Sequence, residues 1–150
     1  MTVQVPSTEE MIFVFESNTG GIHGAGAALF ARQQRGAKPG VGYGHIGQSY
    51  AIPTKGHFKQ RIRGKRGFDR IHVGNTLNLT TIERYVRDFI KFAEEHPEMT
   101  FQVTRIGCGL AGLKDEDIAP MFEDAPPNCF FDNHWQTWLG KLSHRFWGNY

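Results

Sequence analysis

Apolar residues in this chain come in short blocks separated by glycine-rich stretches, and the blocks alternate between strand-like runs and helix-like periodicity. Met11 to Phe15 (MIFVF) is continuously apolar, the pattern of a strand buried on both faces. After a glycine-rich stretch, Ala27 to Gln34 reads as a helix ending by Gly36. Residues 39–49 are too rich in glycine for regular structure and read as a loop. Tyr50 to Pro53 reads as a short strand closed by its proline, and Ile71 to Val73 as a stub of strand or turn. The clearest element is a helix over Thr81 to Glu95. Thr80-Thr81-Ile82-Glu83 fits a capping box, and Ile82, Tyr85, Val86, Phe89, Ile90 and Ala93 form one apolar stripe. Pro97 ends it.

Thr100 to Ile106 reads as the next strand, and Asp115-Glu116-Asp117 as the acidic start of a helix carrying Ile118, Met121 and Phe122. Ala125 to Asn128 is a turn before a last buried strand, Cys129-Phe130-Phe131. Trp135, Trp138, Leu139 and Leu142 recur at helical spacing, followed by Phe146 and Trp147. This aromatic tail either packs on its own domain or offers a surface for an oligomer or partner. The alternation predicts an α/β fold with a mixed, mostly parallel central sheet in a single domain over residues 1–150. In such sheets ligands bind at the carboxyl ends of the strands.

Composition narrows the class. The chain has 150 residues, 39% of them hydrophobic and 13% aromatic, which suits a folded globule rather than a disordered segment. No apolar run reaches the roughly 18–20 residues that span a bilayer, and the first residues lack the pattern of a signal peptide. The expectation is a cytoplasmic protein that does not engage a membrane. Cys108 and Cys129 have no metal-ligand spacing, so neither a metal nor a cofactor is expected. Cys108 is either a small residue in a tight loop or a nucleophile. Net charge is only +2, yet Lys55, Lys59, Arg61, Arg63, Lys65, Arg66 and Arg70 fall within sixteen residues. Glycines interrupt this run, so it reads as a mobile loop, either simply solvated or touching phosphates.

Two glycine clusters carry the candidate chemistry. Asn18-Thr19-Gly20-Gly21-Ile22-His23-Gly24-Ala25-Gly26 and Ile106-Gly107-Cys108-Gly109-Leu110-Ala111-Gly112 each follow a strand and precede a helix. Backbone N–H groups there can approach an anion closely, and a helix N-terminus favours negative charge. The two together point to one nucleotide-like ligand.

The first cluster resembles the ligand loop of macro domains, which bind ADP-ribose. Tyr50-Ala51-Ile52-Pro53-Thr54-Lys55 and the second cluster are similar to the branch holding terminal ADP-ribose glycohydrolases and antitoxins that remove ADP-ribose from DNA. The resemblance runs in order over residues 11–132 and implies the three-layer macro domain fold. It also implies that Asn18 bonds the distal ribose and that Gly21, Ile22, Gly24 and Gly26 bring amides to the diphosphate. Gly107, Cys108, Gly109, Leu110, Ala111 and Gly112 would then close over the ligand from the other side. Lys55 is the implied catalytic residue. Two positions depart from the hydrolases of the family: His23 and Ala111 stand where they carry aspartate. His23 is the acid–base candidate that remains near neutral pH. The implied function is binding of ADP-ribose or an ADP-ribose derivative and hydrolysis of the ADP-ribosyl group from DNA or protein. The alternative is a non-catalytic reader or sponge of ADP-ribose or an NAD-derived signalling nucleotide.

Overall fold

The computed structural model describes residues 6–61, 69–141 and 143–149. Ile12–Asn18 forms β1, and its alternation is what builds the layers. Phe13 and Phe15 point to one side, where Ala28 and Ala31 of α1 (Gly26–Gln34) cover them together with Ala51. Val14 points to the other side, into a larger core under α2 (Leu79–Glu95). Helices on both faces of one sheet give the three-layer α/β arrangement.

The remaining strands are β2 (Gly44–Ile46), β3 (Ser49–Arg61), β4 (Asp69–Thr76), β5 (Phe101–Val103), β6 (Cys129–Asp132) and β7 (Arg145–Gly148). Among the described residues they make a seven-stranded sheet in the order β2-β3-β1-β5-β6-β7, with β4 also pairing β3. β1 pairs in parallel with β3 and with β5, β5 with β6, and β6 with β7. β2 and β4 are antiparallel to β3, so the sheet is mixed and mostly parallel.

Several expected boundaries move. β3 does not stop at Pro53 but runs on to Arg61. Pro53 falls between the residues that pair with β2 (Ser49 to Ala51) and those that pair with β4 (Lys55 onward), so on that edge its missing N–H leaves no rung unmade. The described ends of the glycine-interrupted basic loop are accordingly the arms of a β-hairpin, with Lys59 and Arg61 on one and Arg70 on the other. Arg63, Lys65 and Arg66 lie outside the described residues. β2 forms inside the stretch read as loop, and the strand expected over Thr100–Ile106 is only Phe101–Val103. Helix α2 is capped not by Thr80 but by Asn78, whose Oδ1 accepts from the Thr81 amide at 2.8 Å. The helix thereby gains Leu79 and Thr80 as its first residues.

The acidic helix is α3 (Asp115–Ile118), continued as a tight 3-10 turn over Ala119–Phe122 that accommodates Pro120 near its start. In the tail, Trp135 and the helix α4 (Gln136–Leu139) pack on the domain, with Trp135 and Leu139 fully buried. Phe146 and Trp147 belong to β7, the edge strand beside β6. Leu142 lies outside the described residues. Rings dominate the larger core. Phe89 sits edge-on to both Tyr50 and Phe101, at 5.1 and 5.3 Å between centroids. No helix among the described residues is long and apolar enough to cross a membrane.

The cap gives a direct check. Asn78→Ala should lower stability by about 1 kcal/mol, while Thr80→Ala should change it by only a few tenths. Urea denaturation of the two variants measures this, and the reverse order would return the cap to Thr80.

Candidate functional site

Parallel strands β1, β3, β5 and β6 bring the same end of the sheet together, and a cleft opens there. It consists of two adjoining cavities of about 590 and 260 Å³ that share Glu16, Ala27 and Leu110. The larger is lined by Gly26, Phe30, Thr104, Arg105, Cys108, Gly109, Asp132 and His134 among others. The smaller is lined by Asn18, Ile22, Gly24, Thr54, Lys55 and Val73 among others. Both glycine clusters therefore meet across one cleft. A Cβ built on Gly26 would lie 3.5 Å from Cδ1 of Leu110, a residue that is 66% exposed.

The start of α1 supplies the clearest anion-binding feature. Ala25 takes the cap position with no side-chain hydrogen bond, and Gly26, Ala27 and Ala28 follow it along the cleft wall. The first amides of a helix have no partner within it, and the helix dipole adds positive potential there. Serine or aspartate at the cap would occupy those amides, and alanine leaves them open.

The other cluster residues divide between cleft-facing and architectural places. Asn18 lines the smaller cavity, but its side chain is already bonded both ways to Ile22: Nδ2 donates to the carbonyl at 2.8 Å and Oδ1 accepts from the amide at 3.0 Å. That pair fixes the loop and leaves the amide one further donor. Gly21 lines neither cavity. It has φ +68°, and a Cβ there would collide with the backbone of Gly40 and Val41 at 2.3–2.4 Å. A Cβ on Gly42 would lie 1.9 Å from the carbonyl oxygen of Asn18. The glycine-rich 39–44 stretch thus buttresses the first loop from behind. Ser17 Oγ adds a hydrogen bond to the Gly42 carbonyl. Gly107, Ala111 and Gly112 line neither cavity, and the Ala111 carbonyl accepts from Thr76 Oγ1 at 3.1 Å.

His23 is placed away from the cleft. It is 1% exposed, lies edge-on to Phe15 at 5.5 Å between centroids, and lines neither cavity. Burial pushes its pKa down, so the ring packs as the neutral form. Cys108 does face the larger cavity. Burial, aided by the nearby Asp115 charge, pushes its thiol up to about 12, and its Sγ donates to the Ile106 carbonyl at 3.5 Å. A protonated thiol of this kind fits the small-residue reading rather than the nucleophile.

Lys55 stands in the wall of the smaller cavity at the seam between sheet partners, paired with Asn18 of β1 and Thr76 of β4. The hairpin continues outward from it. Val73 of the cavity wall is opposite His57, and Ile71 is opposite Lys59, so these four share one face of the hairpin. Thr19 Oγ1 meets His57 Nδ1 at 2.6 Å, tying that face to the first loop.

Five polar groups of the larger cavity escaped the sequence reading: Glu16, Thr104, Arg105, Asp132 and His134. Asp132 is 3% exposed and holds His134 twice, through its amide at 2.8 Å and Nδ1 at 2.6 Å. Glu16 stands where both cavities meet. Desolvation raises its pKa, opposed by a 3.4 Å hydrogen bond from Thr54 Oγ1, by the backbone of Gly107 and Leu110, and by the Lys55 charge. The signal available in the sequence was a lone carboxylate directly after the apolar run Met11 to Phe15.

Arg105 and Asp115 hold the second loop from outside. Nε and Nη2 of Arg105 donate to the two carboxylate oxygens at 2.9 and 2.5 Å, and Trp135 Nε1 donates to Oδ1 at 2.7 Å. No protein-family model matches the chain, and no curated protein matches it. A solved structure described as that of a protein of unknown function from Bacteroides thetaiotaomicron is similar at 16% identity. The match covers 76% of this chain and 80% of that one with a TM-score of 0.46, too loose to bear on the site.

Arg105 above all, then Trp135, holds the Asp115 carboxyl down at about 2, below its ordinary 3.8. As pH falls the unfolded chain binds this proton first, so the stability that Asp115 adds is complete above about 3.8 and lost toward about 2. Asp115→Asn should therefore cost about 1–2 kcal/mol at neutral pH, solvent at the Arg105 end screening part of it. The gap from wild type should close through that acid window in a pH series of urea denaturations. A gap constant with pH would refute the linkage.

Proposed function

We propose that this cleft binds ADP-ribose or an ADP-ribosyl group and hydrolyses it from DNA or protein, in the manner of macro domains. The observation that carries the reading is the meeting of both glycine loops across one cleft, with Lys55 in its wall and the uncapped start of α1 along its side. An elongated ligand with a base at one end, a sugar at the other and a diphosphate between suits two cavities joined past a helix N-terminus. Ala27, Phe30 and Leu110 give the larger cavity apolar surface for the base. The smaller, with Asn18, Thr54 and Lys55, takes the distal ribose. Lys55 acts at the anomeric carbon, where its ammonium stabilises charge on the departing group while water replaces it. The bond from the anomeric carbon to the adduct breaks, a bond to the water oxygen forms, and the water proton passes to the departing group or to solvent.

The non-catalytic reader draws support from one specific position. Ala111, where the family's hydrolases keep a carboxylate, carries none and lies off both cavities. Calorimetry with ADP-ribose, followed by incubation with ADP-ribosylated DNA and protein, separates the readings. Binding with release supports the hydrolase, binding without release selects the reader, and no binding contradicts both. Lys55→Ala should lower turnover about 100-fold or more while leaving ADP-ribose affinity within a few-fold. Equal turnover would remove Lys55 from the mechanism. Neutralising Lys59, Arg61 and Arg70 together should slow release from a DNA adduct more than from a protein adduct, because phosphates of the strand would follow the hairpin. Equal slowing would remove DNA as the favoured substrate.

A further inference from the structure

The ADP-ribose reading leaves one residue unexplained. A diphosphate lying between the two cavities passes over the place where they join, and of the three residues shared there, Glu16, Ala27 and Leu110, Glu16 alone has a polar side chain. A carboxylate there opposes the anion that the α1 N-terminus attracts. Its position is not incidental. A Cβ built on Gly109 would lie 3.0 Å from Glu16 Oε1, so the second glycine loop passes directly over the carboxyl. The backbone of Gly107 and Leu110 and the hydroxyl of Thr54 all turn toward it. Glu16 thus occupies the side of the loop that a ligand phosphate would otherwise use.

We infer that Glu16 is the specificity-determining carboxyl of this cleft: it competes with ligand phosphates for the Gly107–Leu110 loop, so that a diphosphate ligand is taken up together with a proton. This rests on the ADP-ribose reading of the same cleft. The groups around Glu16 fit the role. Lys55 and Thr54 face it from β3 and Cys108 from the loop, while Arg105, Asp132 and His134 line the rest of the larger cavity. Burial already favours the protonated carboxyl, and a phosphate beside it favours that form further. The pKa of Glu16 in the complex is then above that in the free protein. Affinity is greatest below the free-protein value, declines as pH rises toward the value in the complex, and is level above it. The consequence for specificity is that ligands with a neutral or hydroxyl-bearing centre lose nothing to Glu16, whereas diphosphates do at high pH.

The test is calorimetric titration of the whole chain with ADP-ribose between about pH 5 and about pH 8, a window above the range of ordinary carboxyls. It is run in buffers of different ionisation enthalpy, for wild type and Glu16→Gln. Wild type should take up protons on binding and weaken as pH rises. Glu16→Gln, which keeps the shape and removes the charge, should bind about tenfold tighter at the alkaline end and show a flatter pH dependence. Any share that His134 contributes persists in the variant, so the difference between the two proteins reports Glu16. The wild-type proton count sets the total uptake, and its fall in Glu16→Gln gives the share that belongs to Glu16. Binding without proton uptake by wild type, or a variant that binds equally or more weakly, overturns the role given to Glu16 while leaving the ADP-ribose reading intact. Failure of both proteins to bind at every pH overturns that reading, and this inference with it.

Discussion

Parallel pairing on both sides of β1 is the constraint from which the site follows. β1 is hydrogen-bonded to β3 on one side and β5 on the other, and its residues alternate between two separate cores. Where layers cover both its faces the strand must be apolar, and Ile12 to Phe15 is. Beyond Phe15 the chain leaves the cores at the same end of the sheet as β3 and β5 do. Polar residues begin there, on all three strands at once: Glu16 to Asn18, Thr54 and Lys55, Thr104 and Arg105. The cleft is the place where the layers stop covering the sheet.

Two opposed electrostatic features then share that space. The start of α1 presents amides that no side chain caps, and Lys55 stands nearby; both favour an anion. Glu16, at the junction of the cavities and under the second glycine loop, disfavours one while it is ionised. Local stability alone favours neither feature. An ordinary cap residue in place of Ala25 and a neutral residue in place of Glu16 would each satisfy more local preferences. Departures from local preference at adjacent points of one cleft are what a binding site would leave in a sequence.

The sequence made the layered fold legible because its strongest patterns are those that tertiary packing enforces: the apolar run of β1 and the stripe of α2. Pro53 misled because its lost N–H is harmless where β3 changes partners between β2 and β4, a fact of sheet topology rather than of local sequence. The basic hairpin was hidden for a related reason, since its arms are two exposed strands without the burial that produces alternation. The glycine clusters located the cleft but did not sort its residues. Gly21 and Gly42 are required by close backbone approach behind the loop, whereas Gly24, Gly26 and Gly109 line the cavities. His23, in the middle of the first glycine cluster, turned inward against Phe15. Asp132 and His134 sit far along the chain and enter the cleft only because β6 follows β5 in the sheet.

The most direct measurement is an amide chemical-shift titration of the isotope-labelled protein with ADP-ribose. If the two loops form one binding cleft, the amides of Gly24, Gly26 and Ala27 on one side and Gly109 and Leu110 on the other shift together with a single dissociation constant. Shifts confined to one loop, or absent from both, would contradict it.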